Sequence, residues 1–270
     1  MNEENLKFLK DGLVYMGFGM KLQGELEAKI KEQPKDFQLA IQGEYRRPTG
    51  EAEKVDYKLD FRKNESTDMY FFNRYKATLL NDLDPTKEKS QTFYVDKGRG
   101  VTAKEAFNLL DGRSVNRDLI AKNNEPYNAW LRLEFSTTDK HGNYEVKKYS
   151  PGYGYDLLAT LKKYPIKELD SNDSLVKLVS SLEKGNVQAV TFVREGKEEK
   201  MHIEANPQYK TLNVYDSDMK KIFQGNEKKE GKEPEMSAGK KEEKKENKDL
   251  DEHPDTEKAK GSYKKRGVGI

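Results

Sequence analysis

The sequence predicts an α+β protein built from antiparallel β-hairpins with short covering helices. Segments that alternate apolar and polar side chains follow one another across short polar turns, as paired strands do. Helical segments interrupt them without the regular strand–helix alternation of a parallel sheet. For the 270 residues we expect three regions: an N-terminal helical segment packed on the body over 1–35, an α+β body over 36–223 and a disordered charged tail over 224–270.

The N-terminal region is predicted to be a helical hairpin that packs on the body. A first helix covers Asn5–Lys10 and a second covers Lys21–Gln33, which Pro34 ends. The second helix carries one apolar stripe with a four-residue spacing, at Leu22, Leu26 and Ile30. This stripe faces the body or, as the alternative, docks a partner helix.

The central unit, Thr67–Gly112, joins two strands to a helix. Alternation from Met69 to Leu80 predicts a strand that pairs with the preceding strand Val55–Phe61, and a further strand lies around Thr92–Val95. Thr102 and Glu105 have the spacing of a capping box, so a helix begins there. Gly112 is suited to end it.

A second unit repeats this order of elements. After a polar connector over residues 113–128, a hairpin turns at Asp139–Asn143, and Asp156 caps a helix over Leu157–Tyr164. Strand, strand, Gly-x-Gly and helix recur, which predicts a ββα pseudo-repeat. The body then continues with the helix Ser171–Lys184, a hairpin around Gly196 and a last strand, Thr211–Tyr215.

The tail is predicted to be a flexible tether. From Asn226 onward it consists of Glu, Lys, Asp, Gly and Pro with almost no apolar content, and such a segment buries too little to offset its ordering entropy. Its end, Tyr263–Ile270, differs because the basic residues Lys264, Lys265 and Arg266 precede an apolar tip. This end either contacts phosphates or a partner groove, or is a frayed terminus.

Composition excludes several classes of function. The formal charge is only +2, so no global field indicates nucleic acid, and the chain contains no cysteine for a disulfide, a thiol nucleophile or a zinc site. No secretory signal and no apolar run of membrane-spanning length is present. We therefore expect a cytoplasmic protein with no membrane partner.

No residue set predicts catalysis, a metal or a cofactor. The three histidines have no second ligand at metal spacing, and the pairs Asp82/Asp84 and Asp216/Asp218 are too few oxygen ligands for a cation, so they are interpreted as loop and cap residues. Gly98-Arg99-Gly100 lacks the rest of a phosphate-binding fingerprint and is interpreted as a turn. The candidate nucleic-acid contacts are basic and aromatic side chains that can meet phosphates and stack on bases: Arg99, Arg113, Arg117, Tyr153 and Tyr155, together with the basic end of the tail.

Several runs resemble a known family, among them TDMYFFNRYKATL, QTFYVDKGRGVTAKEAFNLLDGRSVNRDL and NAWLRLEFSTTDKHGNYEVKKY. They are similar to a poorly characterised domain family carried on conjugative and mobilisable elements of gut anaerobes, some of whose relatives are linked to DNA topoisomerase or DNA processing. The resemblance spans most of Leu6–Lys221. It implies a setting of mobile DNA and supplies no catalytic residue.

Three functions remain open at this point. The first is a non-enzymatic binding or adaptor module of mobile-DNA biology, whose partner is DNA, RNA or a DNA-processing protein. The second is an enzyme that acts on nucleic acid through an acidic metal site. The third is a defence or counter-defence factor that binds another protein. Salt-sensitive binding without turnover favours the first, and a Mg²⁺-dependent change in a nucleic-acid substrate favours the second.

Overall fold

The chain forms antiparallel β-sheets with helices packed on them. The computed structural model describes residues 2–96, 99–121 and 123–222. The α-helices are α1 (Glu3–Tyr15), α2 (Gln23–Glu32), α3 (Ala103–Leu110), α4 (Leu157–Leu161) and α5 (Asn172–Glu183). The strands are β1 (Asp36–Arg46), β2 (Ala52–Lys63), β3 (Tyr70–Leu79), β4 (Lys89–Asp96), β5 (Arg99–Gly100), β6 (Val115–Ile120), β7 (Pro126–Thr138), β8 (Tyr144–Tyr149), β9 (Gln188–Arg194), β10 (Lys197–Asn206), β11 (Thr211–Tyr215) and β12 (Lys221–Ile222).

The strands assemble into three sheets. Their orders are β1-β2-β3-β4-β5, β6-β7-β8 and β12-β11-β10-β9, and the paired strands run antiparallel. Neighbours in sequence are neighbours in each sheet because short turns join them directly. The predicted α+β class with antiparallel hairpins is therefore confirmed.

The N-terminal helical hairpin covers one face of the five-stranded sheet, as predicted. Helices α1 and α2 contact each other and pack on β3 and β1, while α3 packs on β3 and β4. The Asn5 side chain joins α1 to the sheet: its Nδ2 donates to the Tyr70 carbonyl at 3.0 Å, and its Oδ1 accepts from the Tyr70 amide at 2.7 Å. The stripe of α2 faces this sheet, since Leu26 and Ile30 are buried in the same core.

Strand β7 lies between two hydrophobic cores. Leu131 and Leu133 belong to the core of the five-stranded sheet, whereas Trp130 belongs to a second core that contains α4, α5 and the last sheet. Both faces of β7 are buried in its central part for this reason. The Trp130 ring contacts the Tyr155 ring edge to face at 5.4 Å between centroids.

The polar connector expected over 113–128 is wrong, because it contains strand β6. Its residues pair with β7 from Val115↔Leu131 to Ile120↔Pro126. The polar side chains of this strand hid its alternation, and its pairing with a strongly apolar neighbour determines its conformation. Strand β12 was also not predicted, and α4 ends at Leu161, before the expected Tyr164.

The repeated order of strand, strand and helix is present, but the two helices pack differently. Helix α3 lies in the core of the sheet that precedes it, whereas Leu157 and Leu161 of α4 lie in the second core, and α4 contacts β11. The two units therefore share an order of elements and use it in different packing environments. Among the described residues, no helix is both long and apolar enough to cross a membrane.

Candidate anion-binding cleft

A cleft of about 710 Å³ lies where the β1–β2 turn, α3 and the last sheet meet. The turn contributes residues between Arg46 and Glu51, and α3 with the turn after it contributes Lys104, Phe107 and residues 111–113. The opposite wall includes residues of β9, β10 and β11. Its cationic side chains are Arg46, Arg47, Lys104 and Arg113, and its acidic ones are Glu51, Asp111 and Glu204. The surroundings of these groups decide what the cleft can bind.

Local sequence features place the cationic side chains. The capping box fixes the first turn of α3: the Thr102 amide donates to Glu105 Oε2 at 2.8 Å, and the Glu105 amide donates to Thr102 Oγ1 at 3.4 Å. This turn presents Lys104. Gly112, at φ +87°, ends the helix in the left-handed conformation that favours glycine, and the following Arg113 then enters the cleft.

Asp111 joins two arginines. Its Oδ1 lies 2.5 Å from Arg47 Nη2, and its Oδ2 lies 2.9 Å from Arg113 Nη2. Arg47 has a second carboxylate, since its Nε donates to Glu53 Oε1 at 2.6 Å. Among the described residues, Arg113 therefore shares its one ion-paired carboxylate with another guanidinium, and its positive charge is only partly compensated.

Arg113 is the most enclosed cation of the cleft. Its residue is 9% exposed, and its guanidinium lies over the Phe107 ring at 5.0 Å from the centroid. Its Nε is buried and has no hydrogen-bond partner in the described part of the chain. Burial lowers the pKa of Arg113, although Asp111 and Glu204 oppose the shift. A guanidinium held here has donor capacity that no described side chain uses.

Lys104 adds a second positive charge to the same wall. Its Nζ lies 4.6 Å from the centroids of both the Tyr45 and Phe107 rings, which stack on each other. Burial, and after it the charge of Arg113, lowers the pKa of Lys104 to about 8, while Asp111 opposes this shift. The charged form of Lys104 is therefore disfavoured in the free protein, and an anion close to it would stabilise that form.

The acidic group of the opposite wall is already occupied. Glu204 Oε1 accepts hydrogen bonds from Asn213 Nδ2 at 2.6 Å and from the Tyr215 hydroxyl at 2.8 Å. Burial, followed by the charge of Glu204, raises the pKa of Tyr215, so this hydroxyl remains a donor. With Asp111 paired to two arginines and Glu204 Oε1 hydrogen-bonded, the buried donor without a partner among the described residues of the cleft is Arg113 Nε, which is suited to an anion.

Of the predicted nucleic-acid contacts that the structure describes, only Arg113 lines the cleft. Arg117 instead stabilises the start of α3: its Nη1 lies 3.2 Å from both Glu105 carboxylate oxygens, and its Nη2 donates to the Gly100 carbonyl at 2.6 Å. Arg99 is an exposed residue of the short strand β5. Of the predicted turn Gly98-Arg99-Gly100, Gly98 lies outside the described residues.

The predicted tyrosines precede helix α4 and contact the β10–β11 connection and β11. The Tyr153 hydroxyl donates to the Gln208 carbonyl at 2.7 Å, and Lys210 Nζ lies 4.7 Å from the centre of its ring. Tyr155 is buried and its hydroxyl donates to the Thr211 carbonyl at 3.3 Å. The predicted tail and its basic residues, Lys264, Lys265 and Arg266, lie outside the described residues.

The two acidic pairs have local partners. Asp82 pairs with Lys54 at 3.1 Å and Asp84 with Lys87 at 3.1 Å, while Asp216 Oδ1 accepts the amides of Asp218 and Lys220 at 3.0 and 2.9 Å. Within the described residues, no group of three or more His, Asp and Glu side chains is arranged to hold a metal ion.

Sequence reasoning missed Arg46, Arg47 and Lys104. A signal was present, because two adjacent arginines before Pro48 in a hairpin turn place positive charge at one end of a sheet. Comparison with known proteins adds no relative: no family model, curated protein or solved structure matches the chain.

Proposed function

We propose that this chain is a cytoplasmic, non-enzymatic binding module of mobile-DNA biology, and that its cleft contacts the phosphates of a nucleic acid. The observation that carries the proposal is the partly compensated, enclosed guanidinium of Arg113 beside Lys104. The mobile-DNA setting comes from the family resemblance of the sequence. A DNA-processing protein remains the alternative partner.

Phosphate fits the chemistry of this cleft better than a neutral ligand. A buried cation is costly unless a counter-charge and hydrogen bonds compensate it, and Arg113 receives only part of one carboxylate. A phosphate group offers several acceptor oxygens and pairs with guanidinium groups in two-point hydrogen bonds. Lys104 supplies a compact second charge on the same side of the cleft.

The salt dependence of binding follows from the number of phosphates that the cleft contacts. Affinity for a single strand falls with salt with a log–log slope of about −0.7 for each phosphate contact. Contacts by Lys104 and Arg113 alone therefore predict a slope of about −1.4. A larger slope would show that cations outside the cleft also contact the ligand.

Fluorescence anisotropy tests the proposal. Labelled single-stranded DNA, double-stranded DNA and single-stranded RNA of mixed sequence are titrated with the full chain at several salt concentrations, each in Mg²⁺ and in EDTA. We expect salt-sensitive binding with intact oligonucleotides after incubation. Mg²⁺-dependent breakdown would contradict the non-enzymatic assignment, and no binding to any of the three at low salt would contradict nucleic acid as the ligand.

A further inference from the structure

The five-stranded sheet has one face that the helices leave open to solvent. The register of β1 to β4 aligns its side chains in rows, of which one is Ala40–Lys58–Lys76–Thr92 and the next is Gln38–Asp60–Arg74–Tyr94. The row between them, Leu39–Leu59–Tyr75–Phe93, points to the opposite side and is buried. The open face is therefore defined by the pairing of its strands.

Two lysines lie side by side in the middle of this face. Lys58 and Lys76 are opposite each other on β2 and β3, both are exposed, and neither forms an ion pair with a described residue. Like charges directly opposite in a sheet repel each other. An arrangement of this kind is stabilised when an external anion lies across the two charges.

The nearby carboxylates do not compensate this lysine pair. Asp60 lies 2.8 Å from Arg74 Nε and accepts from Gln38 Nε2 at 2.7 Å. Asp56 accepts from Gln42 Nε2 at 2.8 Å. Asp60 is thus paired with an arginine and Asp56 is hydrogen-bonded to a glutamine, and neither carboxylate forms an ion pair with Lys58 or Lys76 among the described residues.

An exposed aromatic ring lies next to the lysine pair. Tyr94 is 63% exposed and occupies the row beside Lys76, two residues from Thr92 along β4. A shallow cavity of about 580 Å³ adjoins it, with Arg62 and Arg74 among its lining residues. The two arginines are paired with Asp36 and Asp60, which line the same cavity. An exposed ring on an open sheet beside two lysines offers a platform on which an unpaired base can stack.

We propose that this face is a second binding surface for single-stranded nucleic acid, with consecutive phosphates on Lys58 and Lys76 and a base on the Tyr94 ring. A single strand fits because the bases of a duplex are already stacked and cannot reach the ring. This inference rests on the proposed function, since it takes nucleic acid as the ligand. It adds a surface that is separate from the cleft residues.

Binding of labelled single-stranded DNA of mixed sequence to three variants of the full chain tests this inference. Lys58→Gln/Lys76→Gln should reduce the size of the salt slope by about 1.4, at about 0.7 for each contact. Tyr94→Ser should weaken binding by about 5- to 150-fold, the equivalent of a stacking energy of roughly 1–3 kcal/mol per base. The matched control, Lys29→Gln/Lys31→Gln, removes the same charge from α2 and should leave both quantities unchanged.

The outcomes separate this inference from the proposed function. If the sheet variants bind like the wild type while Arg113→Met loses affinity, the sheet surface is refuted and the cleft stands. If the wild type binds no oligonucleotide, the proposed function itself fails. If Lys58→Gln/Lys76→Gln weakens duplex binding as much as single-strand binding and Tyr94→Ser has no effect, the stacking assignment is overturned. Urea unfolding midpoints confirm that each variant is folded.

Discussion

Replacing Arg113 by methionine should separate binding from stability. The change removes the ion pair with Asp111, a loss of roughly 1.5–3 kcal/mol. It also removes an enclosed Nε without a partner, whose burial costs roughly 1–3 kcal/mol. Asp111 keeps Arg47, so no uncompensated carboxylate remains, and the methionine still packs on Phe107. The free energy of unfolding should therefore fall by no more than about 2 kcal/mol or rise by no more than about 1.5 kcal/mol.

Affinity should respond far more strongly than stability. Loss of one charged hydrogen bond to phosphate weakens binding by about 10- to 150-fold. Urea unfolding measures the stability, and anisotropy of labelled single-stranded DNA measures the affinity. Arg117→Met is the matched control: it loses the contacts with Glu105 and the Gly100 carbonyl, so it should be less stable by roughly 1.5–3 kcal/mol and bind like the wild type. The reasoning would be refuted if the Arg113→Met protein bound single-stranded DNA with wild-type affinity while its free energy of unfolding fell by more than about 3 kcal/mol.

Other predictions concern the backbone, the pH dependence and the core. Gly185 and Gly196 have φ values of +76° and +75°, but of the two only Gly185 would place an added Cβ 2.8 Å from a backbone oxygen. Gly196→Ala should lower the free energy of unfolding by roughly 1–2 kcal/mol, and Gly185→Ala should lower it by more. Equal urea midpoints for the two variants would contradict this. The pKa of Lys104 is lowered from 10.5 to about 8, so oligonucleotide affinity should fall as the pH rises through about 8. Without a ligand, Lys104 stays protonated to a higher pH in the unfolded chain than in the folded protein. Lys104 should therefore make the free energy of unfolding rise between pH 8 and 10.5, and Lys104→Met should remove this rise. Tyr75→Phe should lower the free energy of unfolding by about 1–3 kcal/mol, because the buried hydroxyl donates to the Val101 carbonyl at 2.5 Å, and an unchanged midpoint would argue against this bond.

Local sequence patterns predicted the elements that depend on local chemistry. The capping box of Thr102 and Glu105, the left-handed Gly112 and the alternation of β2 and β3 act within a few residues, and each is present as expected. Strand β6 was missed because its conformation depends on pairing with β7 and not on an apolar pattern of its own. The different packing of α3 and α4 was likewise beyond local patterns, since it depends on which sheet lies nearby.

The cleft could be predicted only in part. Arg113 was a candidate because it is basic and lies near aromatic residues, but the sequence did not show that it is enclosed or that it shares Asp111 with Arg47. Arg47, Arg113 and Glu204 are far apart in the chain, and three separate elements bring them together. Arg117 has the same chemistry as Arg113, yet its pairing with Glu105 gives it a structural role.

The most direct test of the central claim is the ¹H–¹⁵N signal of the Arg113 Nε–H group during a titration with single-stranded DNA. This donor is buried and has no partner among the residues that the structure describes, so its proton is protected from exchange and its shift reports the guanidinium environment. The Arg113→Lys variant assigns the signal by its loss. We expect the Arg113 Nε–H signal to shift and to saturate with the same Kd as the anisotropy change. An unmoved Arg113 signal at saturating DNA would contradict the assignment of the cleft as the phosphate-binding site.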